Sequence, residues 1–516
     1  MLRLCALMNN LMYGLNADAD ESTHHQILAQ LCGPQSLLYP RLRPLLSTRW
    51  VLHRQQFLIV AKEALLHCSQ GGKDPSPGDD LLRVFLMAND QSHQSQGPMS
   101  DPQREQLRII SEFLPLMESS RFYPFVHKLV RPYLLLTHVC RETDPFDLRL
   151  LFEQSTGVPL EVYFALVYAR SVVKAQDFNF RNFVRHPESF GLSTRWFQTT
   201  TVPPNQLDAF LADVSGSVEE LAGLAKHFDR GITDFTVFKE RPMYRDGNNF
   251  YPIDLSFLAE KCESGLFWRV HNHLRPDERP QFHSYWGELF QRYVNWLLTN
   301  AVDQRRNRFT ASPHYADRGG DEVCDGIVLC GNGAVLLEYK GSTFTAQAKY
   351  DGDVDLLKEE IDRKLIRPRG VGQLSRAATR LFGKTPQQMK ELNISFTPRV
   401  FPLLVVRDDI GGALMLNAYL NEHFEATLHR KELSTSIAPL VCISADHLES
   451  VTGFLKTKRL TDIIEARYAA DRELKSTFLL VRNRILGQNA RGLPPVIRYG
   501  LDELMNLAIR LIRPPD

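Results

Sequence analysis

Three charged side chains set into two apolar runs are the part of this chain best suited to chemistry: Asp325, Glu338 and Lys340. They lie in Val323-Cys324-Asp325-Gly326-Ile327-Val328-Leu329-Cys330 and Ala334-Val335-Leu336-Leu337-Glu338-Tyr339-Lys340, joined by Gly331-Asn332-Gly333. Side chains alternate along a strand, so Glu338 and Lys340 share one face while Leu337 and Tyr339 share the other. Charge on so apolar a strand costs free energy unless it is paired or used. Taken alone, Glu-x-Lys on a strand is ordinarily a solvated edge or an ion pair, and an Asp before Gly is ordinarily a turn or bulge residue. Converging from adjacent strands, two carboxylates and an amine suit phosphodiester hydrolysis. That reaction needs a developing charge shielded and a water made nucleophilic near neutral pH, which a hard divalent cation does. Magnesium accepts one or two carboxylates, a carbonyl and several waters. Asp325 and Glu338 would hold it with the Tyr339 carbonyl, and Lys340 would face the attacking water or the scissile phosphate.

The elements that must position these residues follow from pattern. Asn-Gly between two β-rich runs is a strong hairpin signal. Upstream, residues 282–301 read as a helix whose buried stripe is Trp286, Phe290, Tyr293 and Leu297. Glu288 lies off that stripe, and its plainer role is an ion pair with Arg292 four residues on. Downstream come a basic helical region (about 352–384) containing Gly372-Gln373-Leu374, then two apolar runs, Val400 to Arg407 and Ala438 to Ser444, expected as buried strands of the same sheet. A helix begins at Asp446, and two more are expected near 471–487 and 498–512. Residues 1–235 read as mostly helical, with an apolar stripe of Leu107, Ile110, Phe113, Leu114 and Met117 that Pro115 should kink or end. Thr233 to Glu240 and Met243 to Pro252 read as strands. Ser69 to Asp80 and Asp90 to Gln103 read as loops.

The order of helix with an acid, strand with an acid, strand with acid-x-lysine, basic helix, strand, strand resembles the PD-(D/E)xK nuclease superfamily. Glu288, Asp325, Glu338-Tyr339-Lys340 and Gln373 carry the resemblance, which covers about 235–470; Cys324 stands where the motif has proline. It implies a multidomain protein: a mainly α-helical domain at 1–235, used for sensing, partner binding or oligomerisation, and an α/β restriction-endonuclease-like domain at 236–470. That second domain would have a central mixed sheet flanked by helices, with the helices of 471–516 packed on it. The resemblance implies Glu288, Asp325, Glu338, Lys340 and Gln373 as catalytic residues. Glu288 would act through a metal-bound water, and Gln373 would orient a water or the substrate backbone. Mg2+ would be the cofactor, with Mn2+ able to substitute. The activity expected is endonucleolytic cleavage of DNA in preference to RNA, by analogy in prokaryotic defence against phage or plasmids. The alternative is a non-catalytic module that uses the same fold to bind nucleic acid or another subunit.

Composition bounds these readings. At 516 residues the chain exceeds a single core, and its net charge of +1 gives no whole-molecule attraction to polyanions. Local charge must do that work. From Lys358 to Lys384 eight basic residues stand against three acids, and Arg363, Lys364, Arg367, Arg369, Arg376 and Arg380 are the expected phosphate contacts. Further cations follow at Arg305, Arg306 and Arg308, and at Lys456, Lys458 and Arg459. The eight scattered cysteines form no C-x-x-C pair and fit a reduced, cytoplasmic setting. The first residues read as a helix and not a signal peptide, and no apolar run is long enough to span a membrane. There is no P-loop and no G-x-S-x-G elbow.

Overall fold

A computed structural model describes residues 1–14, 21–46, 51–68, 77–92, 99–118, 125–172, 180–316, 321–331, 333–367, 369–392, 398–486 and 493–512. The centres of the two expected loops, 69–76 and 93–98, and the turn residue Asn332 lie outside them. The chain is mainly helical with two mixed sheets. The smaller is built from β1 (Leu192–Ser193), β2 (Ser215–Gly216), β3 (Met243–Asp246) and β4 (Asn249–Pro252), in the order β1-β4-β3-β2. Met243 to Pro252, expected as one strand interrupted by a turn, forms two, β3 and β4, paired as a hairpin that turns at Gly247 with φ 56°. Thr236–Glu240, expected as a strand, is a helix, and it places Val237 and Phe238 in a core beside Phe257. The helix Pro102–Glu118 runs on past Pro115 instead of ending there.

The larger sheet contains β5 (Arg308–Ala311), β6 (Gly326–Cys330), β7 (Gly333–Lys340), β8 (Arg399–Val406) and β9 (Val441–Ser444), in that spatial order. β5, β6 and β7 are antiparallel neighbours; β8 and β9 continue parallel to β7. The hairpin forms where expected, with Gly331 at φ 57°, a region that glycine enters without steric cost. Parallel strands need crossovers, and helices supply them: Val354–Ile361 and Val371–Phe382 lie between β7 and β8, Leu416–Thr427 between β8 and β9.

Each face of this sheet belongs to a different core. Val335, Leu337, Tyr339, Leu403 and Val405 pack into a large cluster with Trp286, Leu289, Phe290 and Tyr293 of the helix Arg279–Ala301. Ala334, Leu336, Leu404 and Val406 pack into a second cluster with Val371 and Leu374. Each fully buried Leu or Val contributes roughly 1.5–3 kcal/mol. Three such residues on β7, Val335, Leu336 and Leu337, therefore outweigh the cost of one paired carboxylate beside them.

The cores do not divide at residue 235. Leu107, Ile110 and Leu114 belong to the second cluster, and the large cluster runs from Leu129 to Leu504. The C-terminal helices also divide. Phe478–Leu486 packs on Leu460–Ala470 beside the sheet, whereas Pro495–Ile512 packs on Phe125–Leu134 and Leu160–Val172 of the first 235 residues. Gly500 allows that crossing, since a Cβ there would come within 2.6 Å of Val130 Cγ1. Among the described residues no helix is long and apolar enough to cross a membrane, and all eight cysteines are free thiols.

Candidate active site

Gly326 pairs with Leu337, so Asp325, one residue earlier, stands opposite Glu338. Glu338 and Lys340 project from the face of β7 that carries Ala334 and Leu336, towards the 371–382 helix. Lys340 Nζ donates to Glu338 Oε1 at 2.6 Å, and the Tyr339 amide donates to Asp325 Oδ2 at 2.6 Å. The N–H and C=O of a strand residue lie along the same edge, so the Tyr339 carbonyl faces the side that carries Asp325. The strands thus bring Asp325, Glu338, Tyr339 and Lys340 together.

The electrostatics of the site are those of acids held where their charge is disfavoured. Glu338 is 1% exposed and Asp325 8%. Burial, and then the Glu338 charge, push the Asp325 carboxyl up to about 7 against the opposing effects of Lys340 and the Tyr339 amide. Burial raises Glu338 as well, against Lys340 and the Gly370 amide. Glu338 Oε2 is buried without a hydrogen-bond partner. A buried acceptor left in this state is costly and needs a donor or a cation. On the opposite face of β7 the Tyr339 hydroxyl is also unpartnered, packed so close to β6 that a Cβ on Gly326 would lie 2.7 Å from it.

Glu288 sits elsewhere. Its helix covers the opposite, Leu337/Tyr339 face of the sheet; the side chain is 65% exposed and pairs with Arg292 at 3.8 Å. The helix does touch the end of β7, where a Cβ on Gly341 would lie 3.1 Å from Gly287 Cα. Gln291, one turn on, reaches inward instead: its Nε2 lies 3.2 Å from both Ser312 Oγ and Glu322 Oε1. The charge of Glu322 raises both Asp325 and Glu338. Sequence reasoning passed over Glu322; its signal was its place in Asp321-Glu322-Val323-Cys324-Asp325. Ser312, whose amide donates to the Asp325 carbonyl, holds a non-glycine φ of 42°, a local strain of the kind found at functional sites.

Gln373 is half-buried in the first turn of the 371–382 helix. Gly370 caps that helix at φ 91°, and a Cβ there would lie 2.1 Å from the Leu365 carbonyl oxygen and 3.1 Å from Lys340 Cε. The basic stretch is partly neutralised by its own acids. Lys358 pairs with Asp362, and Arg363 and Lys364 with Glu360. Lys364 is tied further to the Thr343 carbonyl and lies over the Phe344 ring, while Arg380 lies over Tyr315. Arg367, Arg369 and Arg376 are exposed.

Among the described residues no three His, Cys, Asp or Glu side chains are grouped to hold a metal by themselves. The donor set that exists is two facing carboxylates, one of them with an orphaned oxygen, and a main-chain carbonyl. That set fits a hard cation that keeps several waters. Compared with known proteins, the chain shows no significant match to any family model, curated protein or solved structure.

Proposed function

We propose that this chain is a metal-dependent nuclease of the PD-(D/E)xK type, with Asp325, Glu338 and Lys340 as its catalytic residues. One observation carries the reading: Asp325 faces the Glu338–Lys340 pair across two strands, with one buried carboxylate oxygen unpartnered. The strand directions and the helix over the Glu338 face agree with a restriction-endonuclease-like core. When bound at Asp325 and Glu338, Mg2+ or Mn2+ would activate water and shield charge on the phosphate. Asp325 and Glu338 hold the cation, Lys340 sets a positive charge beside Glu338, and Gly370 closes the site over the Lys340 stem. DNA is the substrate proposed, and a defence role against phage or plasmids rests on analogy.

A second reading has an observation of its own. Glu338 is already ion-paired with Lys340, and Glu288 with Arg292, as in a fold retained only for binding. One assay separates the two: the purified chain with DNA or RNA in Mg2+ or Mn2+. Cleavage that is lost in Asp325→Asn, Glu338→Gln and Lys340→Ala is expected. Binding without metal-dependent cleavage of either substrate leaves the interaction reading.

A further inference from the structure

We infer that a single-stranded nucleic-acid segment, with one base unstacked, binds at the end of the five-stranded sheet away from Asp325. This rests on the nuclease reading for its purpose but on separate residues for its evidence. The 279–301 helix ends in a turn held by Asp303, which accepts the Arg305 amide, and β5 then begins at Arg308. Residues 454–460 lie against this turn. Asn307, fully buried, donates to the carbonyls of Leu455 and Lys458 and accepts from the Leu460 amide, and Arg306 donates to the Thr457 carbonyl. Two segments about 150 residues apart in sequence are thereby locked side by side. Arg305, Arg306, Arg308, Lys456 and Arg459 are exposed there, and Lys458 lies half-buried over Phe454. Among the described residues none of these six cations has a carboxylate partner. The 358–364 stretch, by contrast, is paired internally.

Lys456 also lines a cavity of about 350 Å³ with His138, Trp296, Asn300 and Tyr499. The His138 ring stacks on Trp296 at 5.4 Å and 14°, and Tyr499 lies 5.7 Å from it. The neighbouring carboxylate, Glu503, is held by His138 Nε2 at 2.9 Å and by the Tyr499 hydroxyl at 2.7 Å. A positive track leading into an aromatic pocket is how single strands are bound without sequence preference: cations follow the backbone, and rings stack a base. The cavity has the size of one small ligand. β5 links this face to the site. It is the edge strand, and Arg308 stands opposite Leu329, four residues from Asp325, or roughly 14 Å at about 3.4 Å per residue.

The test is fluorescence anisotropy of the full-length chain in EDTA, with labelled oligothymidylate, the matching duplex and oligouridylate. The variants are Arg305→Gln/Arg308→Gln/Lys456→Gln, Tyr499→Ala, and the control Arg275→Gln/Arg430→Gln, two exposed cations that have carboxylate partners, each checked by circular dichroism. The triple variant should bind the single strand about tenfold or more weakly and flatten its salt dependence by about two units of slope. Tyr499→Ala should cost about tenfold on the single strand and less on the duplex. The two single-strand probes distinguish DNA from RNA. Wild-type affinity in both patch variants, an equal loss in the control, or tighter binding of duplex than of either single strand overturns the inference. Because no metal is present, absence of cleavage elsewhere would sink the nuclease reading without touching this result.

Discussion

Asp325 and Glu338 are acids in a place that disfavours their charge, and this has a consequence for pH. The folded Asp325 carboxyl is held up to about 7 against an ordinary value of 3.8, and Glu338 shifts in the same direction. Between those values the fold binds protons that the unfolded chain has released, so stability is full below the ordinary value and falls as pH rises towards 7. Asp325→Asn should therefore be more stable than the wild type above pH ~8, by on the order of a few kcal/mol, and lose that advantage near pH ~4. Thermal melts across pH check it; no gain at the alkaline end would mean that the carboxylate is not destabilising. Mg2+ or Mn2+ should raise the wild-type melting temperature and leave Asp325→Asn unmoved.

Two glycines, one at an element junction and one within a helix, separate two kinds of constraint. Gly370 stands at φ 91° with the Leu365 carbonyl where a Cβ would go, and it sets the 371–382 helix against Lys340. Gly370→Ala should destabilise the fold by more than about 1 kcal/mol and depress cleavage with it. Gly287 sits mid-helix with open space beside it, so Gly287→Ala should stabilise by roughly 0.5–1 kcal/mol. Chemical denaturation of both variants gives the two signs. The hairpin was legible because alternation and Asn-Gly are local signals, written within residues 323–340. The 236–240 helix was not. Its apolar residues suit either a strand or a helix, and the choice went to packing of Val237 and Phe238 beside Phe257.

At the scale of the whole chain, a buried ionic cluster joins the two halves. Arg131, on the 125–134 helix, pairs with Glu263 at 2.5 Å, with Glu449 at 2.5 Å and with Asp446; Tyr293 donates to Glu449, and Lys128 pairs with Asp409. Three carboxylates on one buried guanidinium make each depend on it, and Arg131 holds Asp446 and Glu449 below their usual range. Arg131→Met should cost about 3–5 kcal/mol because it strands those charges. A single cooperative unfolding transition, lowered in that variant, would agree with cores that cross residue 235. Separate transitions for the two halves would not.

The residue types, their order and the alternation of β7 determined that Asp325, Glu338 and Lys340 would meet, because register across a two-residue turn is a local matter. The tertiary structure alone decided which helix covers which face of the sheet. Helical periodicity identifies a buried stripe and says nothing of the neighbour it is buried against. For that reason Glu288 points away to Arg292, Gln291 reaches Glu322, and two basic segments far apart in sequence share one face.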